Sequence, residues 1–261
     1  MYLSAASSIG RRETNQDSLL ADGFFCQRGL PGDLQFHIPW VPAGPLALAI
    51  CDGACERGDL ASTTAVNVLY QHLEQLHAAK RPEDLRDLID DLNQRVCTLL
   101  DPERTWDGQA ISTLSLLCLG AGRLLLCCIG DSPVYRLRDG ELTQLSQDQT
   151  LAARRIRQNP EAVILEEDRH VLTNYLGRRQ GGGFDSAIWV EESILPGDLY
   201  LLCSDGILER LSEKKLRSAL LRHGGQSAPT LVKLATRSGS LDNLTALVVQ
   251  VDNDSSQSNF F

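Results

Sequence analysis

The chain has 261 residues, enough for one large domain with a sizeable core. Hydrophobic residues make up 43% and charged residues 23%, which excludes a disordered or fibrous chain. With 25 Lys and Arg against 34 Asp and Glu the net charge is −9, a poor match for phosphate-rich surfaces, so neither nucleic acid nor a membrane is expected as a partner.

In chain order, a short first strand leads into the mixed-charge segment Gly10-Arg11-Arg12-Glu13-Thr14-Asn15-Gln16-Asp17. The run at 46–51, Leu-Ala-Leu-Ala-Ile-Cys, has the unbroken apolar character of a buried strand. Ala61, Ala65, Val68, Leu69, Leu73 and Leu76 then recur at helical spacing, which predicts one long helix with His72 and His77 on its solvent side. Leu85, Leu88, Ile89, Leu92, Val96, Leu99 and Leu100 predict a second, entered at Pro82 and left at Asp101-Pro102.

Runs at 114–119 and 124–129 flank Gly120-Ala121-Gly122-Arg123 and read as two buried strands around a tight turn, too interrupted for a membrane span of ~20 residues. A short helix near 151–157 follows, then Arg178-Arg179-Gln180-Gly181-Gly182-Gly183, which reads as a flexible basic loop. The run at 199–203 predicts another strand. Ser212 opens a helix that Gly224-Gly225 closes, Pro229 opens one that reaches Gly239, and the β-branched run at 244–251 is the last strand. Strands joined by short turns favour antiparallel pairing and an α+β fold in one domain over residues 1–252, with 253–261 as a polar tail. Trp40 and Trp106 fall in connections.

The beginning of the chain lacks the basic and apolar regions of a targeting signal. Of eight cysteines, Cys51, Cys118, Cys127, Cys128 and Cys203 sit in apolar runs, and no CxxC pair occurs. A reducing, cytoplasmic location is the expectation.

The aspartates are the informative pattern. Asp52-Gly53, Gly130-Asp131 and Ser204-Asp205-Gly206 each end a buried run, whereas Asp242-Asn243 precedes one. In antiparallel neighbours the end of one strand lies beside the start of the next, so all four can meet at one edge. Each is also an ordinary turn former, and it is the set that points to a site. Massed carboxylates repel and raise one another's pKa unless cations compensate. Oxygen donors without His or Cys suit Mg²⁺ or Mn²⁺. Arg12 is a candidate phosphate clamp, since a guanidinium fork binds two phosphate oxygens together. Cys51 to Arg57 also matches the C-x5-R spacing of cysteine-dependent phosphatases, but Asp52 and Glu56 within it would repel both thiolate and phosphate.

In this order the residues resemble the metal-dependent Ser/Thr protein phosphatases of type 2C (the PPM family), especially compact bacterial members. The likeness runs from Arg12-x-x-Asn15-Gln16-Asp17 through Asp52-Gly53, Gly130-Asp131-Ser132 and Leu172-Thr173-x-x-Leu176-Gly177 to Ser204-Asp205-Gly206 and Asp242-Asn243-x-Thr245, nearly the whole chain. The resemblance implies an α/β/β/α sandwich of two antiparallel sheets flanked by helices. It implies two Mn²⁺ or Mg²⁺ ions, the first held by Asp52 and the Gly53 carbonyl, the second by Asp52, Asp205 and Asp242. Asp131, with Asp205, would line a third metal position. Asp17 would orient water, Arg12 would grip phosphate, and residues 148–170, which include His170, would form a flap. The partners implied are a phosphorylated protein and a Ser/Thr kinase that the enzyme opposes in bacterial signalling.

The loop Ala54-Cys55-Glu56-Arg57-Gly58 departs from the family's pattern, being shorter and without a glycine pair. Ile111-Ser112-Thr113 and Pro133 depart as well. These departures keep open a second reading, a catalytically weakened member that acts as a regulatory phosphoprotein-binding module.

Overall fold

The computed structural model describes residues 1–23, 25–26, 33–38, 44–99 and 109–252. Trp40, Leu100, Asp101-Pro102, Trp106 and the tail at 253–261 lie outside them. The strands in chain order are β1 (Tyr2–Ser8), β2 (Asp17–Ala21), β3 (Phe25–Cys26), β4 (Leu34–Ile38), β5 (Leu46–Ala54), β6 (Ile111–Ser112), β7 (Leu114–Gly120), β8 (Arg123–Ile129), β9 (Val134–Arg138), β10 (Glu141–Gln144), β11 (Ile188–Ser193), β12 (Leu199–Cys203) and β13 (Leu244–Gln250). The helices are α1 (Gly58–Gln71), α2 (Leu73–Ala78), α3 (Arg86–Cys97), α4 (Leu151–Gln158), α5 (Asp205–Leu208), α6 (Glu213–His223) and α7 (Ala228–Arg237).

One sheet has the order β10-β9-β12-β13-β1-β4, the other β11-β8-β7-β5-β2-β3, with β6 paired to the end of β5. Every pairing among the described strands is antiparallel. This is the expected α/β/β/α sandwich, and its layers follow from the two-residue period of a strand. Leu46, Leu48 and Ile50 of β5 join Leu3, Leu19, Leu126, Leu202 and Leu247 in the core between the sheets. Their neighbours Ala47, Ala49 and Cys51 pack instead with Ala61, Ala65 and Leu69 of α1 and with Ile89 and Leu92 of α3. On the opposite outer face, Leu201, Cys203, Ala246 and Val248 pack with Leu216 of α6 and Leu231 and Ala235 of α7. Both faces of the central strands are therefore covered, which is why they read as continuous apolar runs. β2, β9, β10 and β11 each carry charged residues and are not apparent from sequence.

Two expectations change. The long helix at 61–76 is broken at His72, whose N–H bonds to the Leu69 carbonyl while its ring Nδ1 engages the Val68 carbonyl at 2.8 Å. Val68 O is the acceptor the His72 N–H would take if the helix continued, so the side chain has displaced the backbone. His77 Nε2 pairs with Asp22 Oδ1 across to the end of β2, so neither imidazole is simply solvated. Nor is the basic loop at 178–183 free. Asn93 of α3 accepts from Gly177 N at 2.9 Å and donates to Arg178 O at 3.0 Å, and Asp90 accepts from Phe184 N at 2.8 Å.

Among the described residues no helix is long and apolar enough to cross a membrane. Leu48 is fully buried between the sheets. Leu48→Ala is expected to lower stability by about 2–5 kcal/mol, read as a lower urea midpoint.

Candidate active site

At one end of the inter-sheet core the apolar rows give way to polar residues on the same faces. Continuing each inward row by two residues leads from Leu19 back to Asp17, from Ile50 to Asp52, from Leu202 to Ser204, from Leu247 back to Thr245 and from Ala5 to Ser7. Asp17 and Asp52 stand directly opposite each other in the β2–β5 register. Asp17 is wholly buried. Its Oδ2 accepts from Ser204 Oγ at 2.9 Å and Thr245 Oγ1 at 2.6 Å, whereas Oδ1 has no hydrogen-bond partner. Ser7 links Thr245 at 2.9 Å to Asn15 Nδ2 at 3.0 Å, extending a hydroxyl network between the two sheets.

The loops that carry the other aspartates are locked to this layer. Asn243 donates to the carbonyls of Ile9 and Thr14 at 2.9 and 3.0 Å and accepts from Gln16 N at 2.9 Å, fixing the segment that bears Arg12. Thr113 Oγ1 receives the Asp52 N–H at 2.9 Å and lies 2.7 Å from Ser132 Oγ, tying Asp52 to the Gly130-Asp131 turn. Glu209 Oε2 accepts from Ser240 Oγ at 2.7 Å and Leu241 N at 2.9 Å, joining the short α5, which Asp205 opens, to the loop of Asp242. Backbones approach so closely that a Cβ on Gly53 would lie 2.1 Å from Gly58 O, and one on Gly206 2.1 Å from Asn243 O. Only glycine fits either place.

Arg12, Asp131, Asp205 and Asp242 line a cleft of about 500 Å³ with Asp148, Arg169 and His170, and Asp17 and Asp52 lie in the same charge cluster. The predicted aspartates are thus brought together. Asp148 and the supports Asn15, Thr113, Ser204, Glu209 and Thr245 are additional. Arg12 Nη2 donates to Asp242 Oδ2 at 2.8 Å, so the clamp residue rests on a carboxylate of the cluster. Burial, then neighbouring carboxylates, pushes Asp52, Asp131 and Asp205 above the ordinary aspartate range. Burial outweighs two hydroxyl donors at Asp17 and lifts it to about 7.

The cysteine route has no geometry here. Cys51 is buried beneath α1, and Arg57 Nη1 donates to the Leu99 carbonyl instead of joining a phosphate cradle.

A family model described as Protein phosphatase 2C matches residues 26–239. The chain belongs to the protein phosphatase 2C family. It is 32% identical over 219 residues to the serine/threonine protein phosphatase PstP of Mycobacterium tuberculosis, an alignment that covers 81% of this chain and 41% of that protein. This chain therefore spans about two fifths of that relative's length. The PPM Ser-Thr phosphatase MsPP from Mycobacterium smegmatis, solved in complex with cacodylate, superposes with a TM-score of 0.73 at 30% identity, covering 95% of this chain and 97% of that one. The catalytic domain of PstP in complex with two manganese ions superposes with a TM-score of 0.71 at 27% identity, covering 97% and 100%.

Asp17 holds its proton to about pH 7 when folded and releases it near 3.8 when unfolded. Its contribution to stability is therefore full below about pH 4 and lost as pH rises through about 7. In EDTA the protein is expected to melt at a lower temperature at pH 8 than at pH 5.5, and Asp17→Asn is expected to shrink that difference.

Proposed function

We propose that the chain hydrolyses phosphoserine and phosphothreonine in proteins with Mn²⁺ or Mg²⁺, opposing a Ser/Thr kinase in bacterial signalling. The observation that carries this reading is the meeting of five aspartates with Arg12 at one cleft in a protein phosphatase 2C fold.

Among the described residues, no three His, Cys, Asp or Glu side chains stand around a single point closely enough to enclose an ion as they are placed. The donor set nevertheless fits hard cations. A buried Asp17 oxygen lacks a partner, burial and neighbouring carboxylates push Asp52 and Asp205 upward, and Asp242 pairs with Arg12, each a sign of missing positive charge. In this reading Asp52 and the Gly53 carbonyl would hold one ion, and Asp52, Asp205 and Asp242 would hold a second. Asp131, with Asp205, lines a third position. When bound, such ions neutralise phosphoryl oxygens and acidify water for in-line attack.

The remaining roles fall to the chain itself. Arg12, at the cleft wall and partly exposed, would leave Asp242 and grip two oxygens of a bound phosphoryl group. Asp17, with Oδ2 fixed by Ser204 and Thr245, presents Oδ1 as a hydrogen-bond acceptor that orients water. Hydroxyls and backbone amides hold these groups before substrate binds, which favours catalysis by positioning and electrostatics.

The deciding experiment measures phosphate release from a phosphothreonine peptide with Mn²⁺, with EDTA, and with Asp205→Asn. Turnover should require the metal and fall by about two orders of magnitude or more in the variant, in keeping with the several kcal/mol a metal supplies. Circular dichroism should show Asp205→Asn folded. Turnover untouched by EDTA would refute the metal mechanism. A bound peptide without turnover under any metal would establish the regulatory binding module instead.

A further inference from the structure

A second, open surface depression of about 320 Å³ borders the cleft beside α4. Asp148, Ala153 and Ile156 line both, so the two hollows are divided only by one edge of this helix. Ile156 stands 44% exposed on that edge, an apolar ridge between them. Gln144, Ser146, Gln147 and Arg157 complete the wall of the second hollow.

The charge on α4 is unlike that of the molecule. The chain carries a net −9, yet Leu151–Gln158 holds three arginines and no acid. Arg155 is neutralised by the buried Asp168. Arg157 donates one N–H to the Asp148 carbonyl at 3.2 Å and has the Asp148 carboxylate within electrostatic reach, but it makes no ion pair among the described residues. Arg154, three residues earlier and so on an adjacent stripe of the helix, is exposed and makes no ion pair among the described residues. On the cleft side Arg169 is offset by Glu166 at 3.3 Å, and Asp148 Oδ1 is engaged by Gln144 Nε2 at 2.7 Å. Arg154 and Arg157 therefore put exposed positive charge on α4, outside the phosphate site and one ridge away from it.

We propose that Arg157 and Arg154 form a docking surface for acidic residues next to the phosphorylated residue of the substrate protein. This rests on the phosphatase reading above. A peptide whose phosphorylated side chain enters the cleft would cross Ile156 and lay a neighbouring carboxylate against Arg157. The rest of the acidic molecule repels such a segment, so the arginines select for acidic flanks as well as holding them.

The test compares kcat/KM, with Mn²⁺ present, for phosphothreonine peptides with acidic residues on the N-terminal side, on the C-terminal side, or on neither. The wild-type protein should favour one acidic peptide about two- to fivefold, the scale of an exposed ion pair. The gain should lie in KM and fade near 1 M salt, where the Debye length is about 3 Å. Arg157→Glu should abolish the preference and Arg154→Glu reduce it. Arg157→Gln guards against a local disturbance by the new carboxylate and should also abolish the preference. Hydrolysis of p-nitrophenyl phosphate, which has no flanking residues, should be unchanged in Arg157→Gln and Arg154→Glu. Charge-blind turnover by the wild type, or a preference that survives in all three variants, would overturn this proposal alone. Failure of the wild type to hydrolyse any of these substrates would overturn the phosphatase reading and this proposal with it.

Discussion

Uncompensated negative charge at the end of a dry core is the constraint on which the structure turns. Asp17 and Asp52 cannot move apart, because the β2–β5 register sets them opposite each other on the inward face. Moving either strand by one residue would relieve the repulsion only by turning Leu19 and Ile50 out of the core. The apolar packing that stabilises the sandwich thus forces the carboxylates together. Ser204 and Thr245 satisfy one oxygen of Asp17 from the opposite sheet, and the other is left without a partner. Sheet geometry thus builds a cluster of oxygen donors whose chemistry suits hard cations.

The same constraint explains the backbone contacts around the cluster. Three chain segments must reach one small volume, and they do so where side chains are absent. Gly53 touches Gly58, Gly206 touches the Asn243 carbonyl, and Gly10 adopts a left-handed φ of 63° against the Asp242 carbonyl. The loop at 54–58 is short, yet Gly58 closes it onto Gly53, Gln16 Nε2 holds the Cys55 carbonyl at 2.9 Å, and Arg57 N holds Gln109 O at 2.9 Å. A glycine pair is not needed where the turn itself brings Gly58 back. The departure in sequence leaves the support of Asp52 intact.

Much of this was legible in the sequence because both faces of the central strands are buried. Runs such as 46–51 and 199–203 stand out by hydrophobicity alone, and the aspartates at their ends mark the edge where the sheets open. Edge strands such as Glu141–Gln144 pack on one side and leave no such mark. The supporting hydroxyls of Ser204 and Thr245 were inside the quoted motifs, but their role depends on a cross-sheet neighbour that only the fold supplies. A two-residue step from Leu202 and Leu247 would have placed both on the inward face. His72 and His77 were misleading for a related reason. Helical spacing shows which face is apolar, not that an imidazole can take a carbonyl and end the helix, or reach Asp22 at the end of a strand.

Charge around the cleft also separates the roles of its cations. Arg12, the only arginine paired with a carboxylate of the cluster among the described residues, can bridge one acid but not five. Arg169 is offset by Glu166, and Arg155 and Arg57 are committed to Asp168 and to a backbone carbonyl. Among the described residues, the guanidinium groups at the cleft therefore cannot balance the aspartates and a phosphate dianion together. In the phosphatase reading, bound ions would supply the balance at the reacting phosphorus, and Arg12 would leave Asp242 to bind phosphate oxygens. Competition between metal and Arg12 for Asp242 would couple filling of the site to readiness for substrate, so that the clamp becomes available when the charge needed for catalysis has arrived.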